Sequence, residues 1–221
     1  MNVVKTEDGS STLFNPEIGE HYHSTHGALQ ESKHVFLKSG LQFFLNKQAQ
    51  QAVSVLEIGF GTGLNYLVTA EYCLETNIRL DYTGIELNPL SKETLIQIGN
   101  IKHISPPIGN EFLVNYENAM HSQINTKSGK LFIDICDVTS YKSDSYFDII
   151  YFDAFAAIHQ PEMWSHETLA HVCSYLKTGG VFVTYAITGN LKRIMKSLGF
   201  AIEKAPGAPG KREMLRAVKQ N

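Results

Sequence analysis

The sequence has few cysteines, no long apolar run and no excess of positive charge. Its three cysteines, Cys73, Cys136 and Cys173, are widely separated, which excludes a disulfide framework and paired Cys-x-x-Cys metal ligands and favours a reducing cytoplasm. No run of about 18 apolar residues is present to span a bilayer, and residues 1–11 lack the apolar core of a signal peptide. The net charge of −3 gives no overall basic field to attract nucleic acid or an anionic membrane.

Length and composition predict one globular domain. The 221 residues are 43% hydrophobic, enough for a substantial core, and chains usually divide only beyond roughly 250 to 300 residues. We expect residues 1–50 to form a small β-ribbon and a helix, and residues 51–221 to form the main body of the same domain.

From residue 53 onward, short apolar runs alternate with longer amphipathic ones, which predicts an α/β fold with a mostly parallel, Rossmann-like sheet. Strands are expected at 53–58, 80–86, 130–136, 147–153 and 180–186, and helices at 63–75, 91–101, 165–176 and 189–198. Runs at 201–204 and 214–218 predict a closing antiparallel hairpin, and residues 104–129 a helix with loops. At the N-terminus, Asp8-Gly9 predicts a hairpin between 3–6 and 11–14, followed by a helix over 28–45.

The most informative segment is VLEIGFGTGLN, residues 55–65, in which a buried strand leads into Gly59, Gly61 and Gly63 at the start of a helix. Glycines allow a ligand to approach the backbone closely, and a helix N-terminus offers free N–H groups. A dinucleotide fingerprint needs a sixth-position glycine, but that residue is Leu64. The Gly-x-Gly-x-Gly spacing resembles motif I of class I S-adenosylmethionine-dependent methyltransferases, in which this segment, with Asn65, binds the donor. A tight turn without a ligand is the alternative.

Three acidic residues accompany the glycine loop. Glu86 ends the second strand of the core, where a carboxylate can accept hydrogen bonds from both ribose hydroxyls, unless it is a solvated strand-end acid. Asp137 ends the third strand, the position from which the acidic residue of this superfamily faces the adenine amino group; capping of the next turn is the alternative. Glu57 either contacts the methionyl amine through water or holds the loop.

Three longer segments resemble one family of these enzymes. They are GEHYHSTHGALQESKHVFL at 19–37, YFDAFAAIHQPEMW at 151–164 and PGAPGKREMLRA at 206–217. They look like the signatures of the tRNA 5-aminomethyl-2-thiouridine methyltransferases, called MnmD when free and forming the N-terminal half of bifunctional MnmC. The resemblance covers nearly the whole chain, from the Asp8-Gly9 hairpin to the last strand.

The resemblance implies a specific reaction. Members transfer a methyl group from S-adenosylmethionine to the aminomethyl nitrogen on the wobble uridine of tRNA, giving the methylaminomethyl product, and need neither metal nor FAD for this step. It implies the tRNA anticodon stem-loop as partner, no membrane partner, and dependence on the enzymes that make the aminomethyl group. We expect only methyl transfer, because the flavin-dependent oxidase half of the bifunctional relatives would need further chain.

One departure from the family pattern concerns the segment after Asp153. The family reads Asp-x-Phe-Ala-Pro and then Lys, whereas this chain has Ala157 and His159 at the last two positions. The change frees the backbone and removes a permanent charge, so we expect altered substrate affinity or pH dependence rather than a different reaction. It also motivates an alternative, a non-catalytic relative that binds S-adenosylmethionine or RNA.

Asp153 is the expected catalytic residue. The sulfonium donor is a strong electrophile, so transfer needs an in-line approach and an unprotonated amine. At the carboxyl end of the fourth strand of the core, Asp153 is expected to accept an N–H from the amine and to stabilise the positive charge that develops on nitrogen. The alternative is a strand-end acid that binds backbone amides.

The substrate base must be unstacked and held against planar groups. Phe155, Trp164 and Tyr185 are the candidates, each with a core position as its alternative, and Phe155 is preferred. A pocket-lining role is expected for Tyr22, Ser24, Thr25 and His26, and Glu31 is expected either to reach the donor from its helix or to lie on a solvated face.

Two further enzyme classes compete with this interpretation. The spacing of His21, His23 and His26 also allows a zinc hydrolase, although no acidic ligand accompanies the histidines locally. Polyamine synthases share the fold, but they carry an Asp in the glycine loop that residues 59–63 lack.

The charge is unevenly distributed. Residues 192–221 contain eight basic and two acidic side chains, a net +6, so the other 191 residues carry −9. A basic C-terminal region fits phosphate contacts at one end of the active site, and a solvated surface is its alternative. Lys211 and Arg212, in the family's GKREM segment, are the expected tRNA contacts.

Overall fold

The N-terminal residues form a three-stranded antiparallel sheet. The computed structural model describes residues 1–220; its first two strands are β1 (Asn2–Lys5) and β2 (Ser11–Asn15), joined through Asp8-Gly9 as predicted. Gly9 has a φ of 86°, which favours glycine at the turn. A third strand that the sequence did not predict, β3 (Glu20–His21), pairs with β2 and leads toward the core.

The predicted N-terminal helix is present but is not uniformly α-helical. It begins as α1 (Ala28–Glu31), continues with π-helical hydrogen bonding over Ser32–Gln42 and ends as α2 (Phe43–Lys47). Its apolar side chains, among them Phe36 and Leu41, are buried against the main sheet. Long π-helical stretches are rare and are often associated with functional sites.

The main body is an eight-stranded sheet with helices on both faces, so the predicted α/β fold is confirmed. Its strands are β4 (Ala52–Ile58), β5 (Arg79–Glu86), β6 (Ile124–Thr126), β7 (Gly129–Ile135), β8 (Phe147–Phe152), β9 (Leu176–Thr184), β10 (Phe200–Pro206) and β11 (Glu213–Lys219). The helices are α3 (Leu64–Glu75), α4 (Lys92–Ile98), α5 (Pro106–His121), α6 (His166–Ser174) and α7 (Gly189–Ser197).

The strand order is β10-β11-β9-β8-β4-β5-β7-β6, and the five central strands are parallel. The predicted C-terminal hairpin is confirmed as β10 and β11, which close one edge of the sheet. The chain leaves β4 toward β5 on one side and later returns to β8 on the other. In such sheets, ligands bind at the carboxyl ends of the strands where the order reverses. Residues directly after β4 and β8 therefore mark the expected site.

Three elements differ most from their predicted bounds. Gly99, with a φ of 72°, ends α4 before a short 3-10 turn, Asn100–His103. The segment expected to be a helix with loops contains α5 and also a strand, β6, that pairs antiparallel with β7. The last parallel strand, β9, begins at Leu176 because its first residues already pair with β8.

Two apolar layers support the sheet. On one face, α3, α5 and the π-helical segment cover a core that includes Leu67 and Phe112. On the other, α6 and α7 cover a second core that includes Leu169 and Ile194. Among residues 1–220, the structure contains no helix that is both long enough and apolar enough to cross a bilayer.

Candidate functional site

A cavity of about 700 Å³ lies at the carboxyl ends of the parallel strands. This volume is in the range of small-molecule binding sites. The loops after β4, β5, β7 and β8 form its floor, the N-terminal segment 15–25 covers it, and Lys211 from the β10–β11 loop completes the wall. We call the part lined by Gly59, Gly61, Glu86 and Asp137 the glycine-loop half. The part lined by Glu20, Glu31, Asp153, Phe155 and Lys211 is the Asp153 half.

The glycine loop follows β4 and brings the two halves together. Gly59, with a φ of 83°, lies so close to the end of β8 that a Cβ there would be 2.6 Å from the carbonyl oxygen of Asp153. Only glycine permits this approach. Gly59 and Gly61 line the cavity as predicted, whereas Gly63 starts α3 and packs beneath the loop against Phe60 and Phe112.

Glu86 is the last residue of β5. Its Oε2 accepts the N–H of Gly61 at 2.9 Å and its Oε1 accepts the N–H of Asn88 at 2.9 Å. The carboxylate thus joins the glycine loop to the turn after β5 and lines the cavity. Two backbone donors fix its position, and its expected contact with a ribose stays a prediction.

Asp137 lies at the rim of the same half and caps the short 3-10 turn Val138–Ser140. Its Oδ1 accepts the N–H of Thr139 at 2.8 Å and the Thr139 hydroxyl at 2.6 Å, and these bonds hold the pKa of its carboxyl below the ordinary value. The capping alternative therefore describes its contacts in this structure. Asp137 also lines the cavity, so its expected position toward adenine stays a prediction.

Glu57 and Asn65 lie behind the cavity wall rather than in it. Glu57 is fully buried, and its carboxylate accepts the Tyr82 hydroxyl at 2.7 Å and the Asn65 amide at 2.8 Å. Asn65 also donates to Asp153. Of the two interpretations of Glu57, holding the loop is the one that its contacts support. The prediction that Asn65 itself lines the donor site is wrong, because its amide is used by these carboxylates.

Asp153 directly follows β8 and lines the cavity between its two halves. Burial raises the pKa of its carboxyl to about 8, and the negative charge of Glu31 adds to this effect. The hydrogen bond from Asn65, 2.8 Å long, and the positive charge of Lys211 act in the opposite direction. The result is a carboxyl group that exchanges its proton near neutral pH, a property typical of functional sites.

Lys211 and Glu31 form an ion pair that closes the Asp153 half. Their Nζ and Oε1 atoms are 2.7 Å apart, and the Glu31 side chain is only 8% exposed. The Lys211 ammonium also lies 4.1 Å from the centre of the Tyr185 ring, a cation–π contact. The solvated-face alternative for Glu31 is therefore wrong. Lys211 belongs to the cavity wall and Arg212 is exposed, and the tRNA contacts expected of both residues stay predictions.

The N-terminal segment covers the cavity largely as predicted. Tyr22, Ser24 and Thr25 line it, and the Ser24 N–H donates to Glu31 Oε2 at 2.8 Å. Burial, together with the Glu86 charge, raises the pKa of the Tyr22 phenol to about 12, so this group stays neutral. His26 lies outside the lining: its ring pairs with Glu7 and packs against the backbone of Gly210.

The three N-terminal histidines do not point to a common centre. The His21 ring packs on Phe14, and the Nε2 atom of His23 lies 2.7 Å from the Thr62 hydroxyl. Burial lowers the pKa of His23 to about 4, which keeps this ring neutral. Within residues 1–220, no three His, Cys, Asp or Glu side chains are grouped as metal ligands. The separate partners of the histidines argue against the zinc-hydrolase alternative.

The aromatic candidates divide into two groups. Phe155 and Tyr185 line the cavity, and Phe155 meets Tyr22 edge to face with ring centres 5.1 Å apart. Trp164 is buried outside the lining, where its indole N–H donates to the carbonyl oxygen of Phe155 at 2.8 Å. The prediction of Trp164 as a stacking surface is therefore wrong; its contacts fix the loop that presents Phe155.

Glu20 is a cavity residue that sequence reasoning missed. Its Oε2 accepts the N–H of Ala156 at 2.8 Å and so ties β3 to the loop after β8. The sequence signal for this residue was its position as the acidic residue of the family-like segment GEHYH. The unusual residues Ala157 and His159 are exposed on the same loop, outside the lining. Although Ala157 and His159 replace the family's Pro and Lys, the contacts of Asp153 and Phe155 are in place. The departure from the family pattern therefore no longer motivates a non-catalytic alternative.

Comparisons with known proteins agree with this geometry. A sequence model of a family described as S-adenosyl-L-methionine-dependent methyltransferase matches residues 100–220. The chain is 32% identical, over 214 residues, to the tRNA 5-methylaminomethyl-2-thiouridine biosynthesis bifunctional protein MnmC of Leptospira interrogans, covering 92% of the chain and 33% of that protein. The MnmC protein of Magnetococcus marinus is 30% identical over 225 residues, covering 95% and 33%. The chain thus spans about a third of the length of these curated relatives.

Solved structures show the same fold. The crystal structure of MNMC2 from Aquifex aeolicus superposes with a TM-score of 0.79 at 21% identity, over 98% of this chain and 70% of that one. Magnesium protoporphyrin IX methyltransferase from Synechocystis, solved with bound S-adenosylmethionine, gives a TM-score of 0.54 at 12% identity, over 87% and 81%. At these identities the likeness establishes the fold alone.

Proposed function

The chain belongs to the family of S-adenosyl-L-methionine-dependent methyltransferases, and we propose that it methylates the aminomethyl nitrogen of 5-aminomethyl-2-thiouridine at the tRNA wobble position. The product is 5-methylaminomethyl-2-thiouridine. The observation that carries the proposal is the position of Asp153. Its carboxyl lines the cavity directly beside the glycine loop, where an amine held by it also meets a donor bound to that loop.

The glycine-loop half fits S-adenosylmethionine. Gly59 and Gly61 leave room that side chains would fill, since a Cβ on Gly61 would lie 3.1 Å from the Tyr22 ring. Glu86 presents a fixed carboxylate for the ribose, and Asp137 lies at the rim for the adenine. When bound, S-adenosylmethionine supplies a methyl group on a sulfonium, an electrophile that an unprotonated amine attacks.

The Asp153 half fits a small amine. The carboxylate of Asp153 accepts an N–H of the aminomethyl group and aims its lone pair at the methyl carbon. As nitrogen becomes positively charged, the same carboxylate stabilises it at close range. Tyr22 and Phe155 provide aromatic surfaces for the uracil ring, and their edge-to-face contact holds both rings in place.

The tRNA anticodon stem-loop is the proposed partner. Arg212 is exposed on the β10–β11 loop beside the cavity wall, where it can bind phosphate, and the other basic residues of the C-terminal region extend this surface. The substrate nitrogen must be produced first, so the reaction depends on enzymes that install the aminomethyl group. A tRNA substrate also supports the predicted cytoplasmic location.

Mass spectrometry of wobble nucleosides tests the proposed function. Cells that lack the gene should accumulate 5-aminomethyl-2-thiouridine and lose the methylaminomethyl product, because no other step of the proposal consumes the amine. Complementation with the wild-type gene should restore the product, and an Asp153→Asn gene should not. An unchanged nucleoside profile in the deletion strain would contradict the proposal.

A further inference from the structure

Asn65 connects the buried carboxylate of Glu57 to the carboxylate of Asp153, which lines the cavity. It is the second residue of α3 and is 2% exposed. Its side-chain amide nitrogen, Nδ2, donates to both Glu57 Oε1 and Asp153 Oδ2, each at 2.8 Å. An amide has two N–H groups, so both donors of Asn65 are used by carboxylates. Within residues 1–220, no protein group donates to the other oxygen of Asp153, Oδ1.

The orientation of this amide is fixed from the opposite side. The hydroxyl of Ser32 donates to Asn65 Oδ1 at 2.6 Å, and Ser32 is the first residue of the π-helical segment. A flipped amide would place its carbonyl oxygen against both carboxylates and its nitrogen against the Ser32 hydroxyl. The two carboxylates disfavour that flip, and the hydrogen bond from Ser32 holds the carbonyl oxygen on the opposite side, so the N–H groups stay directed at Glu57 and Asp153.

We propose that Asn65, oriented by Ser32, is a positioning residue for methyl transfer: it holds Asp153 with Oδ1 turned to the cavity and favours the ionised form of this carboxyl. The inference rests on the proposed function for its catalytic consequence. Its electrostatic part, the effect on Asp153, is independent of the substrate.

The ionised form of Asp153 needs such support because mostly acidic groups surround it. The titratable groups that face it are Glu57 on β4, Glu31 on α1, Glu20 on β3, Lys211 on the β10–β11 loop, Tyr82 on β5 and Tyr185 after β9. Lys211 is the one cation among them, and it is already paired with Glu31. Burial raises the pKa of Glu57 well above its ordinary value, which weakens the like charge beside Asp153.

Removal of the Asn65 donor should therefore raise the pKa of Asp153. A hydrogen bond to a charged group favours that charge, so its loss favours protonation. In an Asn65→Leu variant we expect the titration midpoint of Asp153 to rise by about one pH unit. At pH 8, less carboxylate is then available to the amine, and kcat should fall by about tenfold or more because Asp153 is also less well oriented.

The test is a carbon-13 NMR titration of the Asp153 carboxyl in the full chain, assigned by comparison with Asp153→Asn, together with methyl-transfer kinetics. Ser32→Ala, which retains Asn65, should raise the midpoint by less than Asn65→Leu and serves if the latter folds poorly. Asn100→Leu is the matched control, because Asn100 is also buried but bonds to Ser11 far from the cavity. It should leave the Asp153 midpoint unchanged.

The outcomes separate this inference from the proposed function. A raised midpoint in Asn65→Leu and Ser32→Ala, with S-adenosylmethionine affinity within about twofold of wild type, supports it. A fall in kcat without any change in midpoint would indicate a merely structural role and overturn it, as would an unchanged midpoint and unchanged kcat. If wild type methylates no tRNA, the proposed function fails and the catalytic part of this inference fails with it, while the titration still decides the electrostatic part.

Discussion

In the glycine-loop half of the cavity, Glu86 and Asp137 accept backbone N–H groups from residues two positions further along the chain, and Glu86 also accepts the N–H of Gly61 from the neighbouring strand's loop. In the Asp153 half, Asp153 is held by a buried amide and surrounded by Glu20, Glu31 and Lys211 from distant parts of the chain. The hydroxyl and the backbone N–H of Thr139 hold the pKa of Asp137 below its ordinary value, whereas burial raises the pKa of Asp153 to about 8.

This difference fits two tasks. A donor that binds through ribose and adenine needs carboxylates of fixed position and fixed charge. An amine that must react while unprotonated is better served by a carboxyl that readily exchanges a proton and responds to charge on nitrogen. The two halves meet at Gly59, whose missing side chain lets the end of β8 lie against the glycine loop. If the halves act separately, a substitution in one half should leave the function of the other intact.

The largest effect is expected from Asp153→Asn. The variant keeps the shape of the side chain but loses the charge that stabilises the developing ammonium, so kcat should fall by about 10²- to 10³-fold. Donor affinity, measured by calorimetry with S-adenosylmethionine, should change by less than about threefold, because the glycine-loop half is intact. Asp144→Asn, an exposed substitution, provides the control. A variant with near-normal kcat would remove Asp153 from the mechanism.

A smaller effect, on donor affinity rather than on kcat, is expected from Glu86→Gln. Loss of one charge-assisted hydrogen bond to the ribose should weaken S-adenosylmethionine binding by about tenfold. At saturating donor, kcat should stay within about twofold of wild type, since Asp153 and its partners are untouched. Glu93→Gln, exposed on α4, should leave both quantities unchanged. If Glu86→Gln reduced kcat but not donor affinity, the division into two halves would be wrong.

The glycine-loop half was predictable from sequence because its residues act close to where they stand in the chain. Gly59 and Gly61 follow a buried strand, and Glu86 ends the next one, so strand pairing alone brings them together. Where this reasoning went wrong, the error was one of direction. Asn65 stands at the start of α3, directly after the glycine loop, but its side chain points behind the wall to Glu57.

The Asp153 half was only partly predictable, because its contacts join distant segments. Asp153 and Phe155 were expected, but no local pattern reveals that Lys211 pairs with Glu31, 180 positions earlier in the chain. Because its acidic partner was unknown, a basic side chain in a basic region was interpreted as a surface residue. The burial of Trp164 and the contact of Glu20 with the loop after β8 depend on tertiary packing in the same way.

The most direct test of the central claim follows the methyl group itself. Purified protein is incubated with deuteromethyl-labelled S-adenosylmethionine and tRNA that carries 5-aminomethyl-2-thiouridine, and the digested nucleosides are fragmented by mass spectrometry. The account predicts one labelled methyl group on the aminomethyl nitrogen of the wobble uridine, and loss of this product with Asp153→Asn. Label at another position, or an unlabelled wobble nucleoside after incubation with active donor-binding protein, would contradict it.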